Sequence, residues 1–348
     1  MSSSSRHISL RLPFAAGLLA LMALLPGACA SGGKPAGTST GGTTGSGPGG
    51  STTTGTGGGD AGRPPDPPVK VDLQGRAYDL KVPSSYDPSK PAPLVVMMHD
   101  LTDASTSMTP WSDLDTSMKM SPEADNRGIL LALLHGSFDA TTQRFFWNAT
   151  DACCDYGALA TNDVGYVMAV IADVAAKYAV DPRRVFAFGY GNGGFMAHRL
   201  ACDQADKFAA IVSLAGAVYA DPSKCAAAAP VAILEVHGDT DFTAPYAGGP
   251  YHGEPDGGAA LPPAPGAIPT IHTWVTKNGC SLKADTTEPP ISLVADSGGP
   301  ETTRLLYKSC EANGDTELWT MHLVSHAPSF NASWPGAVLD FLTAHPKP

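Results

Sequence analysis

Beyond about residue 70 the chain alternates between continuous apolar runs and segments whose apolar positions recur every three or four residues. Leu94-Val95-Val96-Met97-Met98, Ile129 to Leu134, Val185 to Phe188, Phe208 to Gly216, Val231 to Val236 and Glu317 to Met321 are runs without polar alternation. Such runs predict strands covered on both faces, as in a parallel sheet. Arg76 to Pro83 alternates instead, which predicts an outer strand ending at the Ser84 to Pro88 turn. Val164, Val167, Met168, Val170, Ile171, Val174 and Tyr178 share one helical face, with Asp163 as the expected N-cap and Asp181-Pro182 as the stop. Further helices are expected to begin near Ile271 and to run from Trp334 to His345. Strand followed by helix, repeated, predicts an α/β fold with an open, doubly wound, mostly parallel sheet in one domain over 69–348.

The first 68 residues have a different character. Arg6 and Arg11 precede an apolar stretch from Leu12 to Leu25, which is too short for a membrane span and reads as an export signal over 1–30. Leu25-Pro26-Gly27-Ala28-Cys29 resembles a lipobox, in which Cys29 would be lipidated and attach the protein to a membrane; Ala28-Cys29-Ala30 equally reads as a small-x-small cleavage site. Either outcome exports the protein. Residues 31–68 are almost wholly Gly, Ser, Thr and Pro and cannot bury enough apolar area to offset chain entropy, so a flexible linker is expected. A net charge of -11, with no basic block, argues against nucleic acid as a partner. Seven cysteines, less a lipidated Cys29, leave an even set of six, in keeping with an oxidising compartment. Their irregular spacing argues against zinc, and no metal or organic cofactor is implied.

The candidate chemistry centres on Val185-Phe186-Ala187-Phe188-Gly189-Tyr190-Gly191-Asn192-Gly193-Gly194-Phe195-Met196-Ala197-His198-Arg199-Leu200. A strand meets a glycine-rich corner and resumes as a helix, the context of a G-x-S-x-G nucleophile elbow. The serine is absent, and Gly191 stands in its place. A side chain at such a corner carries about 1–3 kcal/mol of backbone strain that glycine relieves, so the turn can persist without its nucleophile.

Asn192 to Cys202 resembles the helix start of secreted polyhydroxybutyrate depolymerases and feruloyl esterase-type α/β-hydrolases, in which a serine precedes Asn-Gly-Gly. The resemblance extends over roughly residues 70–347 and implies an exported carboxylic-ester hydrolase acting on a polymeric or small ester. It implies Asp241, in His237-Gly238-Asp239-Thr240-Asp241, as the triad acid and His326 rather than His322 as the base. It implies the N–H groups of Leu101 and Asn192 as the oxyanion donors, Trp147 in the substrate wall beside Cys153-Cys154, and a Cys280–Cys310 bridge. On the residues alone Phe145 and Phe146 are expected in the core, Trp147 is open between wall and core, and the pairing of Cys153, Cys154, Cys202 and Cys225 stays open. The Gly248 to Pro269 loop is expected as a rim or lid over the cleft.

Three positions depart from the family pattern. Besides Gly191, Asp100 replaces the glycine of the His-Gly after the Leu94 strand, placing a carboxylate where negative charge should develop; alternatively Asp100 faces solvent and Leu101 still offers its N–H. Leu323-Val324-Ser325 replaces three glycines before His326, which predicts a narrowed site. Loss of the serine from a complete triad costs about a millionfold in kcat. The expected function is therefore a hydrolase-family protein with impaired chemistry, or alternatively a non-catalytic protein binding a polymer or small ligand at the cell surface.

Overall fold

The computed structural model describes residues 75–253 and 260–348. The expected signal with Cys29, the linker and the first residues of the domain lie outside the described residues. The central sheet contains β1 (Tyr78–Lys81), β2 (Ala92–Met98), β3 (Leu130–Leu134), β4 (Val180–Tyr190), β5 (Ala210–Leu214), β6 (Ala232–Gly238), β7 (Thr302–Tyr307) and β8 (Thr316–Met321). Their spatial order is β1-β3-β2-β4-β5-β6-β8-β7. The strands from β3 to β8 in that order are parallel to their neighbours, while β1 and β7 pair antiparallel at the two edges. This is the α/β-hydrolase arrangement expected from the alternation of runs and helices.

Why the runs are continuous is visible in β2. Leu94, Val96 and Met98 pack on one side of the sheet while Val95 and Met97 pack on the other, so no position faces water. The first side is covered by α3 (Asp163–Lys177), α4 (Asn192–Asp203) and α5 (Ala267–Lys277). The second is covered by α1 (Pro110–Met118), α2 (Met120–Asn126) and α6 (Trp334–Ala344).

Two local expectations need correction. The cap of α3 is Asn162, whose side chain accepts from Gly165 N at 2.9 Å. Asp163 lies just inside the helix and is fully buried, where it pairs with Arg76 and accepts from Asn148 N at 2.6 Å. A buried carboxylate needs such partners, and these tie the entry to β1 and the wall loop to the helix. Strand β4 begins at Val180 and so includes Asp181-Pro182, the helix having already ended at Lys177. Strand β7 was not anticipated, because Thr302-Thr303-Arg304-Leu305-Leu306-Tyr307 is too polar to stand out; an edge strand half open to water needs no apolar run.

The chain order reverses between β2 and β4, since β3 lies on one side of β2 and β4 on the other. In open α/β sheets the crevice outside the carboxyl ends of such strands is where ligands bind. Asp100 and Leu101 follow β2 there, and Gly191 and Asn192 follow β4.

Candidate active site

The loops after β6 and β8 bring Asp241 and His326 together. His326 Nδ1 lies 2.7 Å from Asp241 Oδ2. Asp241 is held in turn by the backbone N–H groups of Thr243 and Ala244, at 2.8 and 2.9 Å. His322 is exposed and bonds Asp239 and Thr303, away from the dyad. The corner between β4 and α4 is built as a nucleophile turn, with Gly191 at φ 51° and ψ −119°. A Cβ on Gly193 would run into Met98 O, so only glycine lets helix α4 approach the end of β2 this closely.

What fills the corner is the carboxylate of Asp100. Its Oδ1 accepts hydrogen bonds from Leu101 N and Asn192 N, each at 2.7 Å, and from the Tyr251 hydroxyl at 2.7 Å. Its Oδ2 lies 3.0 Å from His326 Nε2. The two backbone donors expected to receive an oxyanion are therefore engaged by a resident anion, at the positive end of helix α4. The alternative in which Asp100 faces solvent is ruled out: its side chain is 17% exposed and turned inward. A Cβ built on Gly191 would overlap Asp100 Oδ1 and Cγ and lie 2.7 Å from Oδ2. Residues 100 and 191 thus compete for one volume.

Electrostatics follow from this geometry. Burial opposes charge on His326, but hydrogen bonds to Asp100 and Asp241 override it and push its pKa up to about 10. Both ring nitrogens face carboxylates, so the ring is an imidazolium. Burial would raise Asp100, yet the His326 hydrogen bond and charge dominate and lower it below the usual carboxylate range. Asp241 moves the same way, burial being outweighed by hydrogen bonds from His237 and His326.

The dyad continues into a buried chain that no sequence motif signalled. His237 Nε2 lies 3.4 Å from Asp241 Oδ2 and donates to Ala244 O at 2.8 Å; its Nδ1 meets Glu235 Oε1 at 3.1 Å. With both nitrogens donating, His237 is also cationic; burial opposes this, and hydrogen bonds to Asp241 and Glu235 raise its pKa to about 9. The other oxygen of Glu235 takes a bond from His198 Nε2 at 3.0 Å, while His198 Nδ1 accepts from Trp274 Nε1 at 3.0 Å. The alternation of residues 235 and 237 along β6 was the available signal. A Glu within an apolar strand two positions from a His is costly unless the two are paired.

Trp147 was expected in the substrate wall and does not line it. It is fully buried, its indole N–H donates to His99 O at 2.9 Å, and its backbone N–H bonds Asn192 Oδ1 at 2.6 Å. It positions the oxyanion corner from behind. Phe145 and Phe146 are buried, as expected. Leu323 is 87% exposed and points away from the dyad, so its side chain does not narrow the site. It holds φ 59°, the left-handed region a glycine enters without strain. Tyr251 comes from the expected rim loop and reaches Asp100, a contact the loop's composition could not reveal. Three disulfides are present: Cys280–Cys310, as the family resemblance implies, with Cys202–Cys225 and Cys153–Cys154 resolving the pairing left open. Among the described residues there is no cluster of His, Cys, Asp and Glu fit to hold a metal and no helix long and apolar enough to cross a membrane.

A cavity of about 340 Å³ opens beside the corner, with His99, Asp100, Thr102, Ser107, Leu114 and Tyr190 in its wall.

Comparison with known proteins agrees with this architecture. Residues 152–232 match the prolyl oligopeptidase family. A protein of Nocardia uniformis subsp. tsuyamanensis named as an esterase, NocK, is 27% identical, over 79% of this chain and 75% of its own. Feruloyl esterase B of Piromyces equi is 27% identical over 72% of this chain, and the match spans only 42% of that longer enzyme. Among solved structures, the acetyl xylan esterase of Aspergillus awamori superposes with a TM-score of 0.54 at 13% identity, covering 79% of this chain and 98% of its own. Strand order and the meeting of the acid and histidine give this chain the α/β-hydrolase fold, and its relatives by sequence include esterases.

Proposed function

We propose that this protein is an exported member of the carboxylic-ester hydrolase family that does not turn over carboxylic esters, because Gly191 replaces the nucleophilic serine and Asp100 occupies the space left behind. The supporting observation is the Asp100 carboxylate: one oxygen in the oxyanion hole, the other on His326 Nε2. Each of the three parts of serine chemistry is thereby removed. No serine hydroxyl stands at the corner, the hole holds an anion, and the base is already protonated. A cleft remains beside Asp100, and the names of the relatives point to an ester of an aromatic acid or an acetylated polysaccharide as the class of ligand it descends from recognising. Three disulfides favour export, with attachment through Cys29 as the lipidated form of the same reading.

The test uses purified protein with p-nitrophenyl butyrate and a fluorophosphonate probe. Wild type should show no turnover above buffer and no labelling at the β4–α4 corner. Turnover that disappears in His326→Ala, or labelling near residue 191, would refute the proposal.

A further inference from the structure

We infer that Asp100 is itself a nucleophile, and that the site opens small epoxides to vicinal diols through an ester formed on the Asp100 carboxylate. The inference rests on the reading that Asp100 has taken the place of the serine, and it adds a reaction that the exchange makes available.

The two oxygens of Asp100 are not equivalent. Oδ1 carries three donors, from Leu101, Asn192 and Tyr251, whereas Oδ2 meets only His326 Nε2 at 3.0 Å. Oδ2 therefore keeps a lone pair free, and Asp100 forms part of the wall of the 340 Å³ cavity, which is within the size range of small-molecule sites. Attack of a carboxylate on the acyl carbon of an ester would have to expel an alkoxide, a far poorer leaving group than the carboxylate, to form a higher-energy anhydride. Attack on a saturated carbon gives an alkyl ester of Asp100. That ester lies where the fold is equipped to hydrolyse one, with its carbonyl oxygen, Oδ1, already between two backbone N–H groups.

The leaving group narrows the substrate. A departing oxygen needs a proton, and His326 carries one on Nε2 beside the reacting oxygen. A departing halide needs free N–H donors instead, and the indole N–H of Trp147 is spent on His99 O. In an epoxide the leaving oxygen stays attached to the carbon skeleton, so one small molecule serves as both parts.

The steps balance. Asp100 Oδ2 forms a bond to a ring carbon, the C–O bond of the ring breaks, and the alkoxide takes the proton from His326 Nε2. Alkylation turns one of the two carboxylates facing His326 into a neutral ester, so the ring is left as a neutral base held by Asp241. It then takes a proton from water as that water attacks Cγ of Asp100, and negative charge develops on Oδ1. Collapse releases the diol, which leaves with the former Oδ2, and regenerates Asp100 and the imidazolium. The sum is epoxide plus water to diol.

The test incubates the purified chain with 1,2-epoxyhexane in H₂¹⁸O and reads hexane-1,2-diol and the mass of the peptide containing Asp100. The expected result is diol formation by wild type, at least 100-fold less in Asp100→Asn, and ¹⁸O gained by the Asp100 peptide. His326→Gln should accumulate one hexanediol ester on that peptide, the alkoxide then drawing its proton from solvent. No diol from wild type together with no adduct on Asp100 in His326→Gln overturns the inference. So does diol formed without ¹⁸O entering Asp100, which would mean that water attacks the epoxide directly. Hydrolysis of p-nitrophenyl butyrate by wild type would refute the proposed ester silence and leaves these readouts independent of it.

Discussion

Restoring ester hydrolysis should need two substitutions 91 positions apart, each of which fails alone. In Gly191→Ser, the new Cβ overlaps the Asp100 carboxylate, and that carboxylate is anchored by three donors on Oδ1 and His326 on Oδ2. The corner's φ of 51° adds about 1–3 kcal/mol of strain for any side chain. This variant should be destabilised and inert. In Asp100→Gly the oxyanion hole opens and His326 keeps only Asp241, but no nucleophile exists. The double variant has the serine, the space, the free hole and a neutral base. A complete triad supplies about a millionfold in kcat, and residues acting as a unit are strongly non-additive. Recovery of only a small part of that predicts at least ~10³-fold over wild type on p-nitrophenyl butyrate, about 4 kcal/mol of transition-state stabilisation at 1.36 kcal/mol per tenfold. Each single variant should stay within about tenfold of wild type, a coupling of at least ~1.4 kcal/mol. Fluorophosphonate labelling of the double variant at position 191 gives an independent readout, and a thermal melt shows that each protein is folded. A folded double variant that is as inert as its parents would refute this account of the site. Full activity in Gly191→Ser alone would refute it from the other side, by showing that Asp100 is not in the way.

Other consequences concern charge and stability. His326 and His237, raised to about 10 and about 9, contribute stability that is complete below the ordinary histidine pKa of ~6.5 and is lost as pH rises through those values. The melting temperature should therefore fall between pH 7 and pH 10; a flat profile contradicts the assignment of two imidazolium ions. Asp100→Asn removes one of the carboxylates on His326 and should move that ring's titration, followed by its imidazole proton resonances in NMR, to lower pH. Asp100 and Asp241 are lowered, so their contribution is present above the usual carboxylate range and is lost as pH falls through it into strong acid. Glu235→Gln leaves the buried His237 imidazolium without one of its counter-ions and should cost ~3–5 kcal/mol in denaturant unfolding, as breaking a buried pair does. Opening the Cys202–Cys225 bridge, which closes a loop with a sequence separation of 23, should cost roughly 3 kcal/mol in the same measurement.

Much of the fold could be read from the chain because its buried parallel strands leave an unmistakable pattern. Runs such as Leu94 to Met98 have no polar face to disguise them. The edge strand Thr302–Tyr307 escaped for the converse reason. The dyad was legible through the family resemblance of the segments around Asp241 and His326, and the structure brings the two to 2.7 Å. Tyr251, His237, Glu235 and Trp147 were missed or misplaced because their roles are defined by partners distant in sequence. Glu235 reads as an anomaly in an apolar strand until His198 and His237 are seen on its two oxygens. Trp147 reads as a wall residue until its N–H groups are traced to the backbone it supports.

Asp100 and Gly191 carry the deeper lesson. Along the chain they are two separate departures from the pattern the family resemblance implies, each understandable by itself as decay. In space they are one exchange, since the carboxyl group of the first occupies the volume that a side chain on the second would need. Decay of a site would leave its oxyanion donors facing water and its histidine free to drift. Here Leu101 N, Asn192 N and Tyr251 Oη all converge on one oxygen while His326 is clamped between two carboxylates. Burying that much charge is costly unless every member is paired, and every member is. An arrangement so fully satisfied is what the proposed exchange of one reactive group for another requires. What distinguishes it from a merely stable plug is whether Oδ2, the oxygen with a single partner, can form a bond to carbon.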